Sequence, residues 1–387
     1  MPGHRFHLGL TERCNARCAH CYWDVLGAHP DPGPDRIARI LSEFRRLARA
    51  HGERGRHLLT LSGGEPTLRA DLEAVIRLAR RRRFRVRLAT NAMAVDAARA
   101  RALRRAGLRM VQVSVDGAAP ETFERVRGAG TWAPTLAGIE ALRDTGMFVV
   151  LSLVLLPEAN LDEAPRLLDL TRTLGVAGAK FARPVRAGEA ARHGLAGAAD
   201  YWDAYRRILV HAREIRYRRP LLLFDPLAHR LAADHPELTR GLWGLDTALC
   251  RCECTELVEV NGASGDIYYC RLREPLGNLD RDDLVGLWRT HPALEAIRRR
   301  SPASACAACP AWAGCRGGCP AVTGGRTGMV ARQDADCFAV AAQGGPPAAL
   351  PAGAYPRPSR PSLAAAARRT GRLLRSLAFC TVLRNRG

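Results

Sequence analysis

The chain has 387 residues, of which 47% are hydrophobic and 25% charged, and it carries a formal net charge of +21 at pH 7. That is ordinary globular composition, which excludes a wholly disordered or fibrous chain, and the length allows two or three domains. The longest apolar run, Met147 to Pro157, is too short to span a bilayer and the N-terminal segment lacks a secretory apolar stretch, so a soluble cytoplasmic protein with no membrane partner is expected.

The predicted elements alternate between strand and helix. Strands are expected at Phe6–Leu10, Leu58–Leu61, Arg85–Ala89, Met110–Val115, Phe148–Val154 and Ala179–Phe181. Between them Asp35–Arg49, Asp71–Arg82, Asp96–Ala106, Pro134–Thr145 and Glu163–Leu174 carry helical periodicity, and Gly107, Gly146 and Gly175 supply stop signals. Six βα units imply an α/β fold, a partial (β/α)6 TIM-type barrel over residues 1–225, with its active site at the C-terminal ends of the strands.

Residues 226–248 read as a linker, and residues 249–340 as a second, cysteine-dense and loop-rich domain with too little apolar periodicity to fold on a core of its own. Bound metal would supply the missing stabilisation. Residues 341–387 turn to Pro, Ala and Arg and read as a disordered tail, in which Cys380 is an incidental thiol. Lys180 is the only lysine and reads as a strand residue extending its ammonium to solvent, while the arginines elsewhere are scattered. Despite the arginines between Arg357 and Arg386, that scatter points away from a nucleic-acid partner. The histidines form no HxH or HExxH set and read as ordinary residues.

Thirteen cysteines in a reducing compartment suggest metal or cluster ligation rather than a disulfide framework. At the end of the first strand stands Cys14-Asn15-Ala16-Arg17-Cys18-Ala19-His20-Cys21-Tyr22. Its spacing differs from the paired knuckles of structural zinc, and three thiolates on one tight loop can hold three corners of a cubane while one iron stays open. This CxxxCxxC loop followed by an aromatic resembles the signature of the radical S-adenosylmethionine (SAM) enzymes. The resemblance implies a [4Fe–4S] cluster on Cys14, Cys18 and Cys21, whose open iron chelates SAM, and reductive cleavage of SAM to a 5′-deoxyadenosyl radical that abstracts hydrogen from a substrate.

Further segments fit the resemblance in order. Gly63-Gly64-Glu65-Pro66 follows the second strand and resembles the family's GGEP motif, in which glycines let backbone approach a ligand and the acid accepts from the SAM ammonium. Asn91 at the third strand end, with Ala92 where the family usually has glycine, and Ser114 and Asp116 at the fourth could reach the ribose hydroxyls. Ser114 is the preferred contact, whereas Asn91 and Asp116 could equally cap a helix or order a turn. Arg127 lies in a segment resembling the one whose arginine meets the SAM carboxylate, Arg183-Pro184 also resembles family sequence, and Tyr22 completes the expected cofactor-binding set. The catalytic acid or base is not identifiable.

The second cysteine region contains Cys250, Cys252 and Cys254, then Gly265-x4-Cys270, Cys306-x2-Cys309-x5-Cys315-x3-Cys319 and Cys337. This resembles the SPASM domain, which implies two auxiliary [4Fe–4S] clusters. By family connectivity Cys306, Cys309, Cys315 and Cys337 would hold the distal one, and Cys270 and Cys319 would join two of Cys250, Cys252 and Cys254 at the proximal one, leaving one of those three spare. A zinc ribbon is the bland alternative, but this number of cysteines exceeds one zinc site.

SPASM enzymes as a class mostly modify ribosomally made peptides, so the leading expectation is a peptide-maturing oxidoreductase of natural-product biosynthesis that cross-links, desaturates or epimerises. The alternative is a dehydrogenase or epimerase of a sugar-like small molecule. The first strand begins so early that no N-terminal leader-binding domain is expected, so a peptide substrate would need a separate docking protein or direct capture. Sulfatase-maturing members carry an acid after the GxxxxC cysteine; Arg271 stands there, which argues against that activity. The basic surface would suit an acidic flavodoxin- or ferredoxin-type reductant.

Overall fold

A computed structural model describes residues 4–23, 27–185, 187–192, 198–242, 256–270, 274–302, 304–323 and 337. Cys250, Cys252, Cys254, Arg271, Cys380 and the expected tail lie outside the described residues. The six predicted strands are present as β1 (Arg5–Gly9), β2 (His57–Ser62), β3 (Phe84–Thr90), β4 (Met110–Ser114), β5 (Phe148–Val154) and β6 (Gly178–Ala182). The crossovers carry α1 (Pro34–Ala50), α2 (Leu72–Arg81), α3 (Ala97–Ala106), α4 (Pro120–Arg127), α5 (Trp132–Asp144) and α6 (Arg166–Thr173). After them come α7 (Ala198–Glu214), β7 (Leu221–Leu223) and α8 (Leu227–Asp234), then β8 (Leu257–Asn261), β9 (Asp266–Tyr269) and β10 (Gly277–Asn278).

Local chemistry explains the boundaries. Pro34 opens α1 with its ring-fixed φ, Asp35 favours the positive end of the helix dipole, and Ile37, Ile40, Leu41, Phe44, Leu47 and Ala48 recur at helical spacing to form its buried stripe. The Asp96 carboxylate accepts from Arg99 N at 2.6 Å to cap α3, and Gly107 at φ 105° ends it. On β1, Phe6 and Leu8 face the helices, where Phe6 stacks on Phe44 at 4.5 Å, while His7 between them faces inward.

All ten strands belong to one sheet in the order β10-β9-β8-β1-β2-β3-β4-β5-β6-β7. From β8 through β7 every pairing is parallel, with His7 opposite both Thr60 and Glu259; β9 and β10 continue antiparallel. The cysteine-rich segment thus begins inside the barrel sheet, because β8 pairs with β1 across the expected linker. It shares the barrel's core as well: Tyr269, Leu284, Trp288, Leu294 and Ile297 join the cluster that holds Phe6 and Phe44. The missing apolar surface is borrowed from its neighbour. Among the described residues no helix is long and apolar enough to cross a membrane.

Candidate active site

The strands curl around a cavity of about 200 Å³. Its wall takes mid-strand side chains His7, Thr60, Arg87, Gln112, Ser152 and Lys180 and, at the strand ends, Cys14, Cys18 and Cys21. Period-two alternation on six strands produces this polar lining inside a shell of Val, Leu and Phe. Tyr22, Gly63, Gly64, Glu65, Asn91, Ser114, Arg127 and Arg183 are on the wall too, whereas Pro66 and Asp116 are not.

The cysteine loop is tied down on several sides. Gly64 N donates to Thr11 O at 2.7 Å and Glu65 N to Arg13 O at 2.8 Å, docking the end of β2 against the segment that leads into Cys14. The two glycines make that approach possible. A Cβ on either would stand 2.3 Å from a carbonyl oxygen, that of Thr11 for Gly63 and of Arg13 for Gly64, and Gly63 has φ 125°. The close approach expected toward a ligand is thus made toward the loop itself. Farther along, Asn91 Nδ2 donates to Asn15 Oδ1 at 2.8 Å, Ala19 N to Val126 O at 2.9 Å and Glu189 N to Cys21 O at 2.9 Å.

Glu65 is 1% exposed. Its Oε1 accepts from Thr67 N, Thr67 Oγ1 and Thr90 Oγ1, and its Oε2 from Asn91 N at 2.7 Å. Burial pushes its carboxyl above the usual range against the pull of those donors. The residue therefore knits β2 to β3, and Oε2 retains acceptor capacity for a ligand ammonium. Ala92, in the place of the family's glycine, takes φ 64°, a left-handed conformation that a side chain adopts at a cost.

Arg127, read from sequence as a SAM contact, is 7% exposed. Its Nε and Nη2 donate to Asp116 Oδ2 at 2.7 and 2.6 Å, and its Nη1 lies 3.7 Å from Cys18 Sγ. Asp116 is fully buried, accepts from Val154 N at 2.7 Å and faces His20 Nε2 at 3.2 Å. Although burial opposes it, the Arg127 guanidinium holds the Asp116 carboxyl below its ordinary value. Asp116 is thus a brace behind the wall and not the ribose contact for which it was a candidate: Arg127, Val154 and His20 occupy its carboxylate. His20 lines the cavity between two cysteines, a position the search for zinc-type histidine pairs passed over.

Arg183 is clamped in the same way. Its Nη2 donates to Asp225 Oδ1 at 3.0 Å, and Asp225 also accepts from Tyr205 Oη at 2.8 Å and from Leu227 N at 3.0 Å, where α8 begins. Tyr22 stacks on Trp23 at 6.0 Å and packs beside Cys319 against the cluster of Val185, Ala187 and Ala321. Lys180 departs from the sequence reading. It is 3% exposed, because β6 is flanked by β5 and β7 and the side chain points into the cavity instead of to solvent.

The donor set suits an iron–sulfur cluster at the loop. Burial pushes the Cys18 thiol up to about 11 and the Cys14 thiol above its ordinary value, while Arg127 favours the thiolate of both. Cys14, Cys18 and Cys21 all line the cavity, and three thiols on one short loop are the donor type that iron–sulfur clusters take. In the cysteine-rich segment Cys309 N donates to Cys306 O at 3.1 Å, Arg230 of α8 donates to Cys309 Sγ at 3.5 Å, and Cys306, Cys315 and Cys337 are buried. Cys270 follows β9 with φ 51°. Burial pushes the Cys319 thiol up to about 11, Asp225 adding to the effect and Arg183 opposing it.

A family model described as the Radical SAM superfamily matches residues 8–171. Those residues form a radical SAM domain. The domain takes in the cysteine loop, the Gly63–Pro66 turn and the Asp116–Arg127 pair. Such domains use a [4Fe–4S] cluster and SAM. An AdoMet-dependent heme synthase from Methanosarcina barkeri is 32% identical over 169 residues, 43% of this chain and 46% of the relative, so the chain aligns with about half of that protein. PqqA peptide cyclase from Methylobacterium nodulans is 29% identical over 324 residues, 79% of each chain. The crystal structure of Streptococcus suis SuiB bound to precursor peptide SuiA has a TM-score of 0.66 at 15% identity, covering 87% of this chain and 76% of that one, a likeness of fold.

Proposed function

We propose that this chain is a radical SAM/SPASM enzyme that cleaves SAM reductively and modifies a ribosomally made peptide, either oxidatively by cross-linking or desaturation or, with no net oxidation, by epimerisation. One observation carries the choice of a peptide. The alignment with the peptide cyclase, 324 residues long, extends well past the radical SAM domain into the rest of both chains.

Cys14, Cys18 and Cys21 would hold a [4Fe–4S] cluster, which with SAM would supply hydrogen-abstracting radical chemistry. The protein's own part is placement. Gly63 and Gly64 seat the loop, Glu65 offers Oε2 to the SAM ammonium, and Arg127, held rigid by Asp116, presents cationic charge beside Cys18. Ser114 and Asn91 face the ribose, and Tyr22 and Arg183 complete the wall. Cys306, Cys309, Cys315 and Cys337, and Cys270 and Cys319 with two of Cys250, Cys252 and Cys254, would hold two auxiliary clusters, which would supply an electron acceptor for substrate oxidation. An acidic flavodoxin or ferredoxin serves as reductant and a separate protein delivers the peptide leader.

Anaerobically reconstituted protein should contain about twelve iron atoms per chain. With a low-potential reductant it should release 5′-deoxyadenosine and methionine, and replacing Cys14, Cys18 and Cys21 with Ala should abolish that release. Incubation with short peptides encoded beside its gene should then give a mass change, a loss of two hydrogens for cross-linking or desaturation. Stoichiometric zinc with little iron, or SAM cleavage that survives the triple substitution, refutes the assignment.

A further inference from the structure

The fold gathers arginines that look scattered along the chain. Residues 45–57 and 80–85 hold ten arginines and a single acid, Glu53. They meet at the N-terminal end of the barrel, where α1 ends, β2 starts and β3 starts beside it, with His57 opposite Phe84 and Leu58 opposite Arg85. Arg45 of α1 donates to Gly55 O at 2.8 Å, and Arg82 donates to Ser42 Oγ, which joins α1 to both strand starts in one rim.

No carboxylate answers this charge. Glu53 is already engaged, accepting from His4 N at 2.8 Å and lying 3.3 Å from His57 Nδ1. Among the described residues Arg45, Arg49, Arg56, Arg83 and Arg85 make no ion pair, and Arg85 Nε is buried with no hydrogen-bond partner. Burial and the nearby charges of Arg49 and Arg83 push the Arg45 guanidinium below its ordinary value, and burial and Arg56 do the same to Arg85. Arginine-rich composition alone does not explain such crowding, because arginines elsewhere on the surface are matched: Arg36 with Asp280, Arg99 with Glu73, Arg230 with Asp234 and Arg299 with Glu295. Like charges held together without counter-charge favour whatever anion arrives.

The chemistry of the rim selects among anions. Guanidinium forks pair with carboxylates through two parallel bonds. Phe44 and Phe84, next to Arg45 and Arg83 in the chain, are 0 and 1% exposed, so they offer no platform on which the bases of a single strand could stack. Position selects further. Cys14 follows the other end of β1, so the rim stands a strand's length, roughly 17 Å, from the cysteine loop. A partner seated here leaves the cysteine-loop end of the barrel uncovered and is poorly placed to pass electrons to it.

We infer that this arginine rim docks the acidic face of a partner protein, which in the peptide-modifying reading is the protein that delivers the leader. The docking stands on the rim; the delivery role rests on that reading. A dozen extended residues, about 40 Å, would let a peptide held at the rim reach round the barrel to the cysteine loop.

Full-length reconstituted protein is treated with phenylglyoxal, which modifies exposed guanidinium groups, and the adducts are located by peptide mass spectrometry. A polyglutamate of about twenty residues stands in for the acidic face. At about 0.1 M salt it should slow modification of Arg49, Arg56 and Arg83 several-fold and leave Arg299 unchanged, and the protection should vanish at about 1 M, where the screening length falls from about 10 to about 3 Å. In Arg49→Glu/Arg56→Glu protein the protection at Arg83 should disappear. Equal slowing at Arg299 and at the rim, protection of Arg83 that survives the double substitution, or stronger protection of the rim by single-stranded DNA of equal charge overturns the inference. The footprint uses neither cluster nor SAM, so iron content and 5′-deoxyadenosine release report separately on the radical SAM reading.

Discussion

Replacing Asp116 with Asn probes the ion pair behind the cysteine loop. The carboxylate is fully buried and takes two bonds from Arg127, one from Val154 N and a contact from His20. An asparagine whose oxygen stays on Val154 N turns its amide donors toward Arg127, and in the flipped orientation it turns them toward Val154 N. Losing two charge-assisted bonds costs about 3–6 kcal/mol, and leaving one member of a buried pair uncompensated costs about 3–5 kcal/mol, so about 4 kcal/mol is expected. That is roughly a thousandfold in the folding equilibrium. Urea midpoints at constant slope should be measured for Asp116→Asn, for Arg127→Met and for both together. The double variant should be far less destabilised than the sum of the singles, with a coupling of about 2–3 kcal/mol. Additivity within about 0.5 kcal/mol would refute the pairing. The pH dependence has a definite sign. Because Arg127 holds the Asp116 carboxyl below its ordinary value of 3.8, its contribution is complete above that value and disappears as pH falls further, an acid limb that Asp116→Asn should lack.

Gly64→Ala should drive a methyl group into the Arg13 carbonyl, so purified protein should bind markedly less iron while its far-ultraviolet circular dichroism stays close to that of the parent. Glu65→Gln should cost about 1–3 kcal/mol, because a glutamine cannot accept from Thr67, Thr90 and Asn91 N on both of its terminal atoms; a change below 0.5 kcal/mol in urea unfolding would show that the four bonds are not a unit. Trp288→Ala empties a fully buried site in the shared core and should cost about 3–5 kcal/mol, with the strands and the cysteine-rich segment losing hydrogen-exchange protection together.

How much of this was legible depended on whether the signal was local. All six strands through β6 follow from apolar runs punctuated by glycine, and the loop at Cys14–Cys21 follows from spacing alone. β7 is three residues long and offers no alternation, and β8 pairs with a strand some 250 residues earlier, a register that no local pattern encodes. Arg127 and Asp116 could each be singled out by their segments, but their pairing could not, because the two meet only when α4 folds back across the wall. Lys180 was misread for a related reason. Strand alternation fixes which side a residue faces, but whether that side is bulk solvent or the wall of a cavity is decided by the curl of the whole sheet. His20 escaped because its role depends on a carboxylate from β4's end rather than on another histidine.

The hydrogen bonds from β1 to β8 and from β8 to β9 also act as a ruler. β1 and β9 are separated by two lateral steps of one sheet, about 10 Å, and run in opposite directions, so Cys270, whose N donates to Leu257 O, stands at the Arg5 end of the sheet while Cys14 follows the other end of β1. Two compact units on a flexible connection could drift apart, whereas strands hydrogen-bonded in one sheet hold the cysteine loop and the segment after β9 in a fixed relation.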